Sequence, residues 1–173
     1  MNTHIELYPN IFSLEWCNNV INKFKNYQFT GVNYSIVLSD LDFELHKEFA
    51  VNFLEKVYLK YKESYPILNN MNLGELNKTK IHLYKTNKET IPEGCENHGG
   101  HPYRCIAINL YLNTIEKGGE DIFPNQKISI TPQQGGILVF PAGYTHTNKS
   151  NIPEQEDKYV LKSWVEFNKN KIK

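Results

Sequence analysis

The sequence predicts an α+β fold in which helices brace an antiparallel β sandwich or barrel. Three observations support this fold class: two amphipathic helical patterns lie in about the first 70 residues, short β-like runs follow Asn70, and no repeat or low-complexity linker divides the chain. With 173 residues, 40% of them apolar, the chain has the length of one ordinary domain with a proper core. We therefore expect residues 1–173 to form a single domain, helical over about 1–70 and with a β core over about 78–168.

Two helices are predicted in the first part of the chain. Ser13 is a suitable N-cap for the first. Its apolar positions follow at helical spacing: Cys17, Val20, Ile21 and Phe24. The second helix should begin after Asp40 or Asp42 and end before Pro66, because the residue before a proline avoids the α region. Six residues form its apolar face: Phe49, Ala50, Phe53, Leu54, Val57 and Tyr61.

The second part of the chain reads as a series of strands. The β-like runs are KIHLYK, CIAINLYLN, KISI, GILVF and YVLKSWVEF. Turn residues separate them at Gly118-Gly119, Pro124-Asn125 and Gly135-Gly136. Nearly all the residues that could bind a metal lie in this half of the chain.

Composition narrows the functional classes. Lys+Arg and Asp+Glu both number 19, and this balance argues against a nucleic-acid partner. The odd, scattered cysteines (Cys17, Cys95 and Cys105) do not suggest a disulfide framework. No apolar run reaches the ~18 residues of a membrane helix, and MNTHIELYPN lacks a signal pattern. We expect a cytoplasmic protein that acts on a small molecule or a peptide, without a membrane partner; the oligomeric state is not predicted.

Three segments carry residues that suggest chemistry. CENHGGHPYR combines imidazoles with a carboxylate, His146 follows a buried strand in GILVFPAGYTH, and Lys158 opens the last strand. Two imidazoles and one carboxylate on one face of a metal form the facial arrangement that suits non-haem Fe(II). A buried lysine requires an anion, and a dicarboxylate co-substrate would supply one.

The sequence resembles the Fe(II)/2-oxoglutarate-dependent dioxygenases, and within them the prolyl 4-hydroxylase-like branch of the phage and bacterial type. The likeness rests on RCIAINLYLN, GGEDIFP, ISITPQQGGILVFPAGYTH and DKYVLKSW, and on the N-terminal YPNIFSLEWCNNVINKF. It implies a double-stranded β-helix, a jelly-roll-like core braced by N-terminal helices. It also implies Fe(II) and 2-oxoglutarate as cofactors and hydroxylation of a C–H bond, for example on a prolyl or another amino-acid side chain.

The resemblance assigns roles to several residues. Lys158 matches the basic residue that pairs with the distal carboxylate of 2-oxoglutarate, and Tyr84 and Tyr111 match tyrosines beside it. Trp164 matches an aromatic residue that lines the pocket. Arg104 matches a position at the start of a strand, where a structural role is expected.

The metal-ligand pattern of this family matches the sequence only when its two histidines are displaced by two positions. The family pattern His-x-Asp/Glu falls on Gly94-Cys95-Glu96, and the last histidine falls on Asn148. A histidine stands two positions from each missing one: His98 after the acid and His146 before Asn148. Because residues two apart in a strand face the same side, we expect a displaced metal triad of Glu96, His98 and His146, with Asn148 beside the cofactor.

Two alternatives stay open. In the first, the metal site has decayed and the protein is a binding or structural module. In the second, His98-Gly99-Gly100 resembles the halogenase motif, in which halide takes the position of the acid. For His82 we expect a packed or edge position, and His101 is a reserve ligand.

Overall fold

The computed structural model describes residues 3–27, 35–88 and 92–168. The helical part contains β1 (Glu6–Tyr8), α1 (Leu14–Asn26), β2 (Ser35–Val37), α2 (Leu38–Leu41), α3 (Phe43–Phe53), a π-helical turn (Leu54–Tyr58), α4 (Leu59–Ser64) and a 3-10 turn (Pro66–Asn70). The β part contains β3 (Leu73–Tyr84), β4 (Arg104–Tyr111), β5 (Asp121–Phe123), β6 (Ile128–Ile130), β7 (Ile137–Pro141), a 3-10 turn (Tyr144–His146), β8 (Lys149–Ser150) and β9 (Lys158–Phe167). Each predicted β run therefore contributes to a strand, and β1, β2, β5 and β8 are additional.

Side-chain caps begin the two main helices where the sequence predicted them. The Ser13 hydroxyl accepts from the Trp16 amide at 3.2 Å, and the Asp42 carboxylate accepts from the Leu45 amide at 3.0 Å. Each bond satisfies one of the amides that a helix leaves free at its start. α4 ends at Ser64, two residues before Pro66, as the proline requires.

A π-helical turn adjusts the buried face of the second helical segment. Phe49, Phe53, Val57 and Tyr61 are all buried and lie four residues apart. On a 3.6-residue helix this spacing drifts by about 40° per step, and the wider turn at Leu54–Tyr58 offsets the drift. The prediction that Leu54 shares this face is wrong, because its side chain is exposed.

Two antiparallel sheets form the β part. Within the described residues, one sheet has the strand order β1-β7-β4-β9-β3-β2 and the other the order β6-β5-β8. The sheets pack through inward residues from both, among them Tyr111, Phe123, Phe140 and Trp164. The opposite face of the larger sheet packs on the helices through residues such as Ile81, Ile108 and Leu161. None of the helices that can be described has both the length and the apolarity to cross a bilayer.

Alternation along β3 and β9 determines which residues reach the interior between the sheets. Ile81 in β3 and Leu161 in β9 face the helices. Their neighbours in sequence therefore face the other way. The predicted β sandwich braced by helices is confirmed, and polar side chains from both strands point into it.

Candidate functional site

A cleft of about 500 Å³ opens at one end of the sandwich. β3 contributes Lys80, His82 and Tyr84 to its wall, and β9 contributes Lys162 and Trp164. The loop between β3 and β4 and the start of β8 complete it with Pro92, Glu93, Gly94, Cys95, Glu96, His98, His101, Arg104, Asn148, Lys149 and Ser150. The predicted ligand-bearing loop therefore does line a cleft of a size that suits a small molecule.

Glu96 is held in this cleft by two hydrogen-bond donors and a further ion pair. Its Oε1 lies 2.8 Å from the Lys162 ammonium, and its Oε2 accepts from the Trp164 indole at 3.0 Å. Arg104 lies 3.5 Å from the same Oε2 and stacks on the Trp164 ring, with its guanidinium carbon 3.5 Å from the ring centroid. Burial raises the pKa of Glu96, but the contacts with Lys162 and Trp164 outweigh it and hold the pKa below its ordinary value.

A second carboxylate, Asp121, lies deeper between the sheets. Its Oδ1 is 2.6 Å from the Lys158 ammonium and 3.0 Å from the Ser150 hydroxyl. Its Oδ2 accepts from the Tyr111 hydroxyl at 2.8 Å and from the Asn109 amide at 3.2 Å. Burial raises the pKa of Asp121, but Lys158 and Tyr111 outweigh this effect and lower the pKa below its ordinary value.

All three protons of the Lys158 ammonium have acceptors within the chain. Besides Asp121, they are the Gly119 carbonyl and the Ser150 hydroxyl, both at 2.7 Å. Gly119 has φ +71°, and a Cβ there would meet Ile115 at 3.0 Å, so glycine suits the turn that directs this carbonyl inward. Lys158 is 1% exposed and Asp121 is 5% exposed. No donor of this lysine is left for a co-substrate.

The three predicted metal ligands are not brought together. Glu96 takes the ion pairs described above, and His98 lies on an exposed turn with its ring 5.1 Å from that of His101. His146 is buried outside the cleft lining, where its Nε2 lies 2.9 Å from the Thr3 carbonyl oxygen and its Nδ1 lies 2.9 Å from the Thr145 hydroxyl. Across residues 3–27, 35–88 and 92–168, no three His, Cys, Asp or Glu side chains form a group able to hold a metal.

The physical reason lies in the local backbone. The two-residue shift keeps a side chain on the same face only in a strand. His98 lies in a turn between β3 and β4, and His146 ends a 3-10 turn. The facing rule therefore does not apply to either histidine. Gly100 of the halogenase-like motif is exposed on the same turn as His98.

The two positions that the unshifted register assigns to histidines are adjacent. Gly94 and Asn148 form an antiparallel bridge, with amide-to-carbonyl distances of 3.1 and 2.8 Å, and both line the cleft beside Glu96. The two positions that the resemblance assigns to imidazoles thus lie side by side, and they hold a glycine and an amide. These residues do not fit an Fe(II) centre, since neither Gly94 nor Asn148 supplies an imidazole and the carboxylate of Glu96 already accepts from Lys162 and Trp164 and pairs with Arg104.

The predicted cofactor-binding residues surround Lys158 and the cleft. The Lys158 ammonium lies 5.4 Å from the ring centroid of Tyr84 and 5.5 Å from that of Tyr111. Burial raises the pKa of Tyr84, and it also raises that of Tyr111 together with Asp121. Trp164 lines the cleft as predicted, but its indole donates to Glu96. The Tyr111 hydroxyl, placed beside the co-substrate by the resemblance, donates to Asp121.

Sequence reasoning missed Asp121 and Lys162. Lys162 follows Lys158 by four residues in one strand, so the period of two already placed both on the same face. Asp121 begins the short run DIF shortly after the Gly118-Gly119 turn, and a single aspartate in such a place is only a weak indication of a functional site. Arg104, expected to be structural, does contact Glu96.

Two polar nitrogens of cleft residues are buried without a hydrogen-bond partner in the described structure: Nε2 of His82 and Nε of Arg104. Burial, followed by the charge of Lys162, lowers the pKa of His82 to about 3, so its imidazole is neutral. An unsatisfied buried donor or acceptor is costly. Both unpartnered nitrogens are themselves buried, so they lie behind the surface of the cleft wall.

Comparison with known proteins shows which solved structures share this fold. No protein-family model and no curated protein sequence matches the chain. Among solved structures, the viral collagen prolyl hydroxylase of Paramecium Bursaria Chlorella virus-1, in its 2-oxoglutarate complex, is 16% identical with a TM-score of 0.65 over 96% of this chain and 97% of that one. A Pseudomonas putida prolyl-4-hydroxylase is 10% identical with a TM-score of 0.71, over 96% and 94%.

A third similar structure is the Trichoplax adhaerens prolyl hydroxylase in complex with a hypoxia inducible factor peptide fragment. It is 13% identical with a TM-score of 0.65, over 96% of this chain and 84% of that one. At these identities the likeness shows the fold. The predicted double-stranded β-helix core braced by N-terminal helices is confirmed.

Proposed function

We propose that this protein is a ligand-binding module built on the prolyl-hydroxylase fold, and that it does not carry out iron- and 2-oxoglutarate-dependent oxidation. One observation carries the proposal: the carboxylate of Asp121 lies 2.6 Å from Lys158, the lysine that the family resemblance assigns to the co-substrate. An internal carboxylate thus takes the charge that 2-oxoglutarate would otherwise supply.

The metal side of the cleft supports the same function. Gly94 offers no side-chain donor, and Asn148 offers a neutral amide where an imidazole is expected. Glu96 is balanced by Lys162 and Arg104. A carboxylate with two cationic partners competes poorly for a divalent ion, because metal binding would leave those cations buried without their anion.

The cleft itself supports a binding role. It retains about 500 Å³ of space, lined by aromatic, basic and amide side chains. The carboxylates of Glu96, in the cleft wall, and of Asp121, behind it, are both partnered by cations of the chain, so these contacts hold the wall in place without requiring a cofactor. The ligand would therefore be recognised by the outer residues of the cleft.

A second candidate function is the Fe(II)- and 2-oxoglutarate-dependent hydroxylation of a prolyl or other amino-acid side chain. The observation that favours it is the likeness in fold to prolyl hydroxylases, one of them solved with 2-oxoglutarate. It requires Asp121 to leave Lys158 and two imidazoles to approach Glu96. Those rearrangements would break two buried ion-pair networks.

The deciding experiment is an anaerobic titration of metal-free protein with Fe(II) and 2-oxoglutarate, followed by calorimetry and by the visible band of the chelated complex. A binding module should give no saturable band and retain no stoichiometric iron. A band that saturates in the wild type and disappears in His98→Ala and His146→Ala would overturn the proposal and establish the displaced triad. His101→Ala is the matched control for the loss of a loop imidazole.

A further inference from the structure

We infer that the protein associates with a second copy of itself through the free edge of the smaller sheet, with a two-fold axis at Ser129. β6 ends this sheet, and among the residues that the structure describes it has a neighbouring strand only on its β5 side. Alternate backbone amides and carbonyls of β6 therefore point away from β5, where an added strand can receive them. Proteins often block such an edge with a proline or an inward charge, and β6, whose sequence is ISI, has neither.

Two isoleucines of β6 face the interior of the sandwich but are not fully covered. Ile128 lies opposite Phe123 and Ile130 lies opposite Asp121, and opposite residues of an antiparallel pair share a face. Phe123 and Asp121 are buried between the sheets. The two isoleucines, which pack against the apolar cluster there, are only partly buried. The smaller sheet therefore ends before its apolar face is covered.

The nearest edge of the larger sheet is apolar as well. Phe123 of β5 packs on Phe140 of β7, with ring centroids 4.9 Å apart, and the cleft joins β8 to β3 and β9. β6 therefore lies towards the β1 end of the larger sheet. There Leu7, opposite the buried Leu138, is 37% exposed, and Ile5 is partly buried. We use the name edge seam for Ile5, Leu7, Ile128 and Ile130.

The sequence around Ser129 is self-complementary. In an antiparallel pair of two β6 strands with the axis at Ser129, each Ile128 lies opposite Ile130 of the second copy. Apolar cross-strand pairs of this kind stabilise a sheet. Moving the axis by one residue in either direction would place an isoleucine opposite Gln126 or Pro132. The axis at Ser129 therefore gives the best pairing of two copies.

Charge does not oppose this association. Lys127, which precedes β6, falls opposite Thr131 of the second copy, so no like charges meet across the pair. Lys+Arg and Asp+Glu both number 19 in the whole chain, so two copies do not repel each other at long range.

A second copy also covers the edge seam. The axis stands perpendicular to the sheets, so the inner faces of both copies point the same way and their seams meet across the axis. β6 supplies only three residues to the pairing, so apolar burial in the seam has to provide much of the association energy. The contact is small for a permanent dimer. We expect a dimer whose population rises with protein concentration.

The test is a charge swap at the axis, measured by sedimentation equilibrium of the whole protein from about 5 to 500 µM. Ser129 is exposed, so Ser129→Lys and Ser129→Glu should both fold as the wild type does. On the axis each new charge lies directly opposite its own copy, and either variant alone should associate about tenfold more weakly or worse. An equimolar mixture of the two should recover association, because opposite charges then meet. Ser64→Lys adds the same charge at the exposed end of α4 and should associate as the wild type does.

Four outcomes overturn this inference. A wild type that stays monomeric over the whole range would leave the edge for an extended segment of another protein. Open-ended assembly would exclude the two-fold axis. Association unchanged by Ser129→Lys, or not recovered in the mixture, would mean that the axis does not pass through Ser129. The edge seam lies across the smaller sheet from the cleft, so the result does not depend on what the cleft binds.

Discussion

Asp121 Oδ1 lies 2.6 Å from the Nζ atom of Lys158, and both side chains are almost wholly buried between the two sheets. The pair comes from β5 in the smaller sheet and β9 in the larger one. Ser150, opposite Asp121 in β8, contacts both charges. An ion pair thus ties the two sheets together where a co-substrate is expected by family resemblance.

Asp121→Ala should lower the free energy of unfolding by about 3–5 kcal/mol, because it leaves the Lys158 ammonium buried without its anion. Urea denaturation at pH 7 measures the change. The control is Lys117→Gln, which removes an exposed lysine paired with Glu154 and should produce no measurable change.

The double variant Asp121→Leu/Lys158→Met tests whether the stability lost in Asp121→Ala comes from the Lys158 ammonium left without its anion. Replacing both buried charges with apolar groups of similar size is often close to neutral. Most of the stability lost in Asp121→Ala should therefore return. If the double variant is less stable than the single one, the cost does not come from the orphaned ammonium.

Formate should restore part of the stability of Asp121→Ala. The substitution removes a carboxylate and leaves space for one beside Lys158, Tyr111 and Ser150. Recovery of about 1 kcal/mol would raise the midpoint of thermal unfolding by about 2–4 °C for a chain of this size. Thermal unfolding in formate, compared with chloride at equal ionic strength, measures it. The wild type should gain nothing, since its own carboxylate fills the position.

Local sequence signals predicted the elements well. Ser13 and Asp42 cap helices with their own side chains, and the predicted β-like runs correspond to β3, β4, β6, β7 and β9. These features depend on neighbours in sequence, so a single chain is enough to find them. The exposed Leu54 shows the limit, because the π turn that moves it is set by packing against the core.

The site was harder to predict because its contacts are long-range. Glu96 meets Lys162 across 66 residues, and Lys158 meets Asp121 across 37. The sequence identified Glu96 as a metal ligand and Lys158 as a charge that needs an anion, but it could not name the residues that contact them. His98 and His146 lie on turns, where the alternation of a strand gives no guidance.

His82 should make stability depend on pH in a predictable direction. Burial lowers the pKa of its imidazole to about 3 in the folded protein, whereas an unfolded histidine titrates near ~6.5. Below that value the unfolded chain binds a proton that the folded chain does not. Stability should therefore be lost as pH falls from ~6.5 toward 3, with a slope of up to about 1.4 kcal/mol per pH unit from this residue.

Urea unfolding of the wild type and His82→Gln at pH 7.5, 6.5 and 5.5 isolates this contribution. The variant should show a shallower loss between pH 6.5 and 5.5, whereas the two proteins should run parallel above pH 7. The lowered pKa values of Asp121 and Glu96 affect stability at lower pH than His82 does. Each carboxylate stabilises the folded protein above the ordinary titration range of a carboxyl group, and this stabilisation is lost as pH falls through the folded-state pKa. Identical slopes in both proteins would contradict the role of His82.

Gly94→His combined with Asn148→His should create a metal site in the cleft. The two residues are opposite on an antiparallel bridge, so side chains at these positions project to the same face with Cβ atoms about 5 Å apart. A Cβ at Gly94 meets nothing closer than the Pro92 carbonyl at 4.0 Å, so an imidazole can be added there. Glu96 stands two residues from Gly94 and lines the same cleft. We therefore expect calorimetry to detect saturable Zn²⁺ or Co²⁺ binding in the double variant.

The matched control, Gly99→His with Asn148→His, adds the same two imidazoles, but one of them lies on an exposed turn where a Cβ meets nothing within 4 Å. Metal binding equal in both variants would mean that the bridge does not determine the site. Binding only in the first would show that the bridge between residues 94 and 148, and not merely the presence of two imidazoles, determines the site.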